Sequence, residues 1–371
     1  MQFLSAILIE PVSSVLKNEK NIIFIPSGPL FNFPLGILEM SSEPLMLIHT
    51  VSQVPSLAVW YELLKNRQTL EKDPESKASV AVFCNSNKIV DDLKCVRAEA
   101  LAIAPGYSVS PIVTDKISSK RFREAGRGRD ILHYCSHRKF DRDAPLLPNL
   151  QLLPKDAPEN IRALDVANMI SPAKLVVLSA CFSGFGKILG SNDGYGFPHA
   201  LLAIGVKAFV GSLWKANDSA SLIFMFIFYR EIQSLRADKK VTIAQAFATA
   251  QRQLRNLSRA SYYTCIDQII LELKKCDPRT SKRIVNMAEQ IWLLEWSKNN
   301  EDPARFADPF FWAAFVLTGD GSQILSPSAK ATSLPTEASG MNGSGNQGPA
   351  RSNPPHVRLG LEDGIVQALR D

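Results

Sequence analysis

No two cysteines in this sequence have the spacing of a zinc ribbon or a dithiol redox motif. The six, at 84, 95, 135, 181, 265 and 276, are scattered. That pattern argues against a zinc site and against a dense disulfide framework. Cys84 and Cys135 sit in apolar strand-like runs and read as buried thiols, so the expected compartment is reducing and cytoplasmic. No run approaches the roughly 18 apolar residues of a spanning helix. The N-terminal stretch lacks a basic segment and Glu10 interrupts its apolar run, which argues against a signal peptide. The expectation is a soluble chain with no membrane partner. No GxxxxGK[ST] loop is present, so a nucleotide-binding switch has no phosphate cradle. A net charge of +6 is too mild, and the basic segment 120–129 too poor in aromatics, to indicate nucleic acid. No internal repeat is visible.

What the chain does have is a short stretch around which the rest is organised, KLVVLSAC from Lys174 to Cys181. The apolar run Leu175–Leu178 is continuous rather than alternating, as in a strand covered on both faces. It leads directly into a glycine-punctuated loop. Open α/β sheets carry their reactive groups at such carboxyl ends of strands. DILHYCSH, from Asp130 to His137, has the same form. Two strands of one sheet would thus present His137 and Cys181, a nucleophile and its base. His133 lies four residues earlier, roughly 13 Å back along an extended strand, too far to replace His137.

Strands are expected at Ile22–Ile25, within LIHTVSQVPS, and at Ala78–Cys84, Val109–Val113, Asp130–Cys135, Leu175–Leu178, Lys207–Trp214 and in WAAFVL. Helices are expected at Phe3–Leu16 with a break near Pro11, Ser56–Lys65 with Ala58, Tyr61 and Leu64 on one face, Asp91–Ile103, Ile161–Ile170, Gly196–Gly205 and from Asp218 to Leu235. From Thr242 the pattern turns helical. Ile243, Phe247, Ala250, Leu254 and Leu257 share a face, as do Ile266, Ile269 and Leu273, and then Ile284, Met287, Ile291 and Leu294. Strands alternating with helices at this rate imply a mostly parallel α/β sheet covered on both faces. The domain spans residues 1–320, with a helical insertion at about 242–297. Residues 321–371 are rich in Ser, Pro, Gly and Asn, a composition that predicts disorder.

Six blocks in order, IIFIPSGPLFNFPLGIL, ILHYCSH, DAPLL, KLVVLSACFSG, GYGFPHALLAIGVKAFVGSLW followed by Asp218, and DPFFWAAFVLTGD, resemble the CHAT domain. CHAT domains belong to the caspase-like clan of cysteine peptidases. The resemblance implies a caspase-like sheet in which His137 and Cys181 form a catalytic dyad, with an oxyanion hole made of the N–H groups of Cys181 and Arg138. It calls for no metal and no cofactor. It implies a protein substrate, and tetratricopeptide-repeat or other regulatory partners. The implied role is regulated cleavage of a protein partner in signalling or defence.

Two departures bear on that reading. The family's glycine after the histidine is here Arg138, and its frequent Glu after the cysteine is Phe182. They support the alternative, a catalytically silent CHAT-type scaffold or interaction module. Asp193, in the loop after the cysteine, can line a pocket for a basic side chain or simply form a turn in Ser-Asn-Asp-Gly. Arg138 and Lys139 can favour an acidic side chain or form a solvated charged loop. Specificity stays open in both directions. Asp218, after Asn217, is a helix N-cap or first-turn acid.

Overall fold

The structure is a computed structural model. It describes residues 1–67, 78–85, 94–114, 117–136, 149–151, 160–188, 194–234, 241–276 and 305–325. Residues 1–331 form one compact unit; the second unit, 332–371, lies outside the described residues. So do the expected face Ile284–Leu294 and the part of the expected tail beyond Leu325.

Eight strands make the central sheet: β1 (Asn21–Phe24), β2 (Thr50–Gln53), β3 (Val80–Asn85), β4 (Ile112–Thr114), β5 (Ile131–Ser136), β6 (Leu175–Ser179), β7 (Ala208–Ser212) and β8 (Phe315–Gly319). Their spatial order is β1-β2-β8-β7-β6-β5-β3-β4. Every pairing is parallel except β7 with β8. The sheet is therefore mostly parallel, and its continuous apolar strands are explained by cover on both faces. β5, β6 and β7 are neighbours and run the same way, so their carboxyl ends lie along one edge.

The cover comes from helices α1 (Gln2–Leu8), α2 (Leu57–Lys65), α3 (Lys94–Ile103), α4 (Ser119–Gly126), α5 (Ala163–Met169), α6 (Phe197–Ala203), α7 (Asp218–Gln233), α8 (Ile243–Arg255) and α9 (Arg259–Cys276). Side chains alternate along each strand. Val80, Val82, Ile131, Leu175, Val177 and Val210 pack with α3, α7, α8 and α9. Ala81, Phe83, Leu132, Tyr134, Val176, Leu178 and Phe209 pack with α4, α5 and α6. α7 is apolar nearly all round because it lies under other helices: its Phe224 and Phe228 rings stack on each other, and Phe247 of α8 meets both edge-on. Asn217 caps α7, its side chain accepting from Ala220 N, which leaves Asp218 as the first-turn acid. Thr242 and Gln245 form a reciprocal capping box on α8. α8 shares the core of α7, so the helices beginning at Thr242 are part of the layer that covers the sheet.

Several local expectations shift. The first helix breaks at Ile9, and Pro11 sits in a 3-10 turn before Ser13–Leu16. In LIHTVSQVPS the strand starts only at Thr50, because Leu45–Ile48 make a helical turn. Asn160–Arg162 pairs antiparallel with Asn149–Gln151, so helix α5 begins at Ala163 rather than Ile161. In WAAFVL the chain is still helical at Trp312, whose indole is buried and donates to Ala307 O, and the strand begins at Phe315. Ala58, Tyr61 and Leu64 do share a face of α2, but it is the exposed one; Leu63 turns inward and packs with Val54 and Leu202. No helix among the described residues is long and apolar enough to cross a membrane.

One small hairpin carries unrelieved strain. Glu39–Met40 pairs with Glu43–Pro44, and the two turn residues, Ser41 and Ser42, have φ of 54° and 65°. Two-residue hairpin turns of this kind want Asn-Gly, since a side chain in the left-handed region costs about 1–2 kcal/mol. Ser42 is exposed. Ser42→Gly should therefore stabilise the chain by about 0.5 kcal/mol after the greater unfolded-state freedom of glycine is subtracted. Urea denaturation of the two proteins measures it, and an unchanged or lower midpoint would refute it.

Candidate active site

Cys181 lies at the carboxyl edge of the sheet, separated from the end of β6 by one residue, Ala180. Register pairs Ser179 with Cys135 on β5, so the last residue of β5, Ser136, lies next to the cysteine turn. His137 is the next residue in the chain. It lies outside the described residues, as do Arg138 and Asp193. Of the residues expected at the site, the structure therefore places Cys181.

The turn carrying Cys181 is latched to the end of β7. Ser183 Oγ donates to Leu178 O at 2.6 Å and accepts from Ser212 N at 3.0 Å. Ser212 Oγ donates to Ala180 O at 2.8 Å. Gly184 N donates to Ser212 O at 2.8 Å. This last contact requires glycine on both sides: a Cβ on Gly184 would meet Gly211 C at 3.0 Å, and one on Gly211 would meet Gly184 N at 2.8 Å. Close backbone approach therefore accounts for the first glycine of the loop. Phe182, immediately after the cysteine, has a φ of 59°, and its ring meets Phe185 edge-on. A bulky side chain in the left-handed region is a strained arrangement of the sort found at functional sites.

A cleft opens at this edge, lined among others by Ser136, Cys181, Ser212, Ala216, Asp218 and Glu99. Cys181 is half-buried in it. Burial pushes the Cys181 thiol above its ordinary pKa, and the negative charge of Asp218 pushes it further. Lys215 and the N–H groups of Cys181 and Ala216 oppose the rise without cancelling it. The described surroundings thus hold the thiol neutral. Making it a nucleophile at neutral pH takes a further positive or proton-accepting group.

Beneath the cleft lies a polar set that sequence reasoning missed. His133, on the α3 side of β5, is fully buried, and its Nε2 faces Glu99 Oε1 at 3.0 Å. His133 Nδ1 lies 3.1 Å from the Tyr229 hydroxyl on α7. Glu99 Oε2 accepts from Ser179 Oγ at 3.1 Å. The Cys135 thiol donates to Phe83 O and Val96 O. Glu99, His133 and Cys135 have potential ligand atoms within 4.8 Å of one another. The only sequence signal was negative, a histidine inside an otherwise apolar strand. A buried imidazole needs a buried partner, but nothing local pointed to Glu99, 34 positions away. Cys84, Cys95, Cys135 and Cys265 are free buried thiols, as the apolar runs around Cys84 and Cys135 implied.

A family model described as the CHAT domain matches residues 1–320. The chain belongs to the CHAT domain family. In this CHAT domain the sheet is mostly parallel, helices cover both faces, and Cys181 stands just past a strand end. No curated protein matches it. It is similar to a chain of the Saccharomyces cerevisiae separase–securin complex, with 12% identity and a TM-score of 0.49, covering 80% of this chain but only 15% of that one. It is also similar to the Arg-specific cysteine proteinase gingipain R, with 9% identity and a TM-score of 0.46, covering 85% of this chain and 67% of that one. The complex of Porphyromonas gingivalis RgpB pro- and mature domains gives 9% identity, a TM-score of 0.47, and coverage of 87% and 69%.

Proposed function

We propose that this CHAT domain is a cysteine endopeptidase in which Cys181 is the nucleophile and His137 its base. The observation that carries the reading is the placement of Cys181 in an edge cleft beside Ser136, the residue before His137. In the proposed reaction, His137 takes the Cys181 proton and the thiolate attacks the scissile carbonyl. The N–H groups of Cys181 and Arg138 donate to the developing oxyanion. The imidazolium then protonates the leaving amine, and water hydrolyses the thioester. None of these steps calls for a metal or cofactor.

Asp218 lines the same cleft, and its charge bears on the thiol. We assign it the role of attracting a basic side chain at the cleavage site, with Asp193, twelve residues after Cys181 in the sequence, as a second acid. The substrate is a protein, and the regulator is a tetratricopeptide-repeat or other partner. Four free buried thiols suit a reducing, cytoplasmic setting. The catalytic unit is 1–320, with about 242–297 elaborating it and 321–371 as a tail.

A second reading, a silent interaction module, draws on the raised Cys181 thiol pKa and on the left-handed Phe182. A peptide library separates the two. Incubated with the purified chain, it should be cut after Lys or Arg, and Cys181→Ala should abolish cutting. Cutting that survives Cys181→Ala would sink the peptidase assignment. Absence of cutting together with an unreactive Cys181 would favour the interaction module.

A further inference from the structure

The geometry points to Glu99 as a positioning residue that ties the histidine strand to the cysteine strand beneath the cleft. Its functional consequence rests on the dyad reading given above. Glu99 sits on α3, which packs against β5 and α7. Its two oxygens are divided between two strands. Oε1 faces His133 Nε2 on β5 at 3.0 Å, four residues before His137. Oε2 accepts from Ser179 Oγ on β6 at 3.1 Å, two residues before Cys181. One rigid carboxylate thus spans the two strands whose ends carry the proposed dyad, and it does so at the floor of the cleft.

The arrangement is built rather than incidental. Glu99 is 2% exposed and His133 is fully buried. A buried carboxylate persists only when its charge and lone pairs are matched. Among the described residues, Glu99 Oε1 and His133 Nε2 are buried and have no other polar atom within bonding distance than each other. A carboxylate oxygen and a ring nitrogen 3.0 Å apart in a dry interior are within ion-pair distance, so the contact joins α3 to β5. His133 cannot turn away, because the Tyr229 hydroxyl holds its other nitrogen and the Tyr229 ring meets it edge-on. Two strand ends joined through one carboxylate cannot splay apart without breaking a buried contact. Dyad geometry must hold to within a fraction of an ångström for proton transfer, and this is a device that supplies it.

The test uses the whole chain and two variants, Glu99→Gln and Ser179→Ala. Ser179→Ala removes only the tie to β6, and stands in if Glu99→Gln fails to fold. The first readout is amide hydrogen exchange. Exchange at Phe182 and Ser183, in the cysteine turn, should rise tenfold or more, while Leu132 and Val176 in mid-strand stay within twofold. A merely structural role would raise all four together, and that result, or an unchanged turn, overturns the proposal. The second readout is the pH–rate profile of Cys181 alkylation. Its midpoint should move in the variants toward that of His137→Ala; a faster-exchanging turn with an unmoved midpoint also overturns the positioning role. If alkylation of the unaltered chain does not depend on His137, the dyad reading has failed on its own, and the exchange data still decide whether Glu99 ties the strands.

Discussion

Iodoacetamide should alkylate Cys181 of the intact chain with a pH–rate midpoint well below that of an ordinary thiol, and His137→Ala should push that midpoint above the ordinary one. The contrast is sharpened by what surrounds the sulfur. Burial and Asp218 both favour the neutral thiol, and Lys215 with two backbone N–H groups does not overcome them. Without an imidazole, then, Cys181 should be a poorer thiolate than an ordinary cysteine. An ordinary thiol is only about 0.3% ionised at pH 6, whereas one with a pKa near 6 is about half ionised. The more acidic thiolate is intrinsically about tenfold less nucleophilic, so the net gain at pH 6 is about tenfold. That is the factor His137→Ala should remove, with the modified residue identified by mass spectrometry. Asp218→Asn should act in the opposite direction, because removing the carboxylate lowers the thiol's pKa. Should Cys181 react no faster than the other five cysteines, and His137→Ala change nothing, the free chain has no assembled dyad.

The strands that matter here were legible because burial on both faces leaves a plain signature. Leu175–Leu178 has no polar residue at either parity, and neighbouring helices explain why. The position of Cys181 followed from the change of polarity at Ser179. α2 was legible as a helix but not in its orientation. Apolar residues lie on more than one side of it, and periodicity cannot say that Leu63 rather than Tyr61 meets the body of the protein. The polar floor was not legible at all. Glu99 shares its helix with Lys94 and Arg97, and reads as one more solvated charge until α3 is laid against β5. His133 stands too far back along its strand to serve Cys181 as a base, as the spacing implies. Its importance lies in where it points, toward α3 and α7, and only the sheet's register reveals that.

Arg67→Ala should be among the most destabilising single substitutions in the chain, costing about 3 kcal/mol, although it lies far from the cleft in sequence and touches no candidate catalytic group. Arg67 follows α2 and forks onto Asp320, the last residue of the family match, with Nε at 2.8 Å and Nη2 at 2.7 Å. Asp320 is 1% exposed, and its oxygens also accept from Ser322 N and Gln323 Nε2. Burial by itself would raise the Asp320 pKa; the Arg67 and Ser322 hydrogen bonds outweigh it and hold the carboxyl below its ordinary value. Removing the arginine leaves a buried carboxylate whose remaining cation, Lys207, is itself buried and inclined by that burial to lose its proton. The Arg67 side chain is 37% exposed, which places the expected cost at the low end for a broken buried pair. The sign with pH follows from the depressed pKa. A carboxyl held below its unfolded value stabilises the fold above the unfolded pKa, and that contribution disappears as pH falls through the folded one. A protonated Asp320 needs no arginine, so the gap between the two proteins should be full at pH 7 and narrow below about pH 4. Urea denaturation across that range reads both effects. Arg67→Ala with Asp320→Asn should cost less than the sum of the two single changes, because the second removes the charge that the first strands. A gap that is constant with pH, or costs that simply add, would mean that Arg67 holds α2 to the sheet by packing over Trp60 rather than by neutralising Asp320.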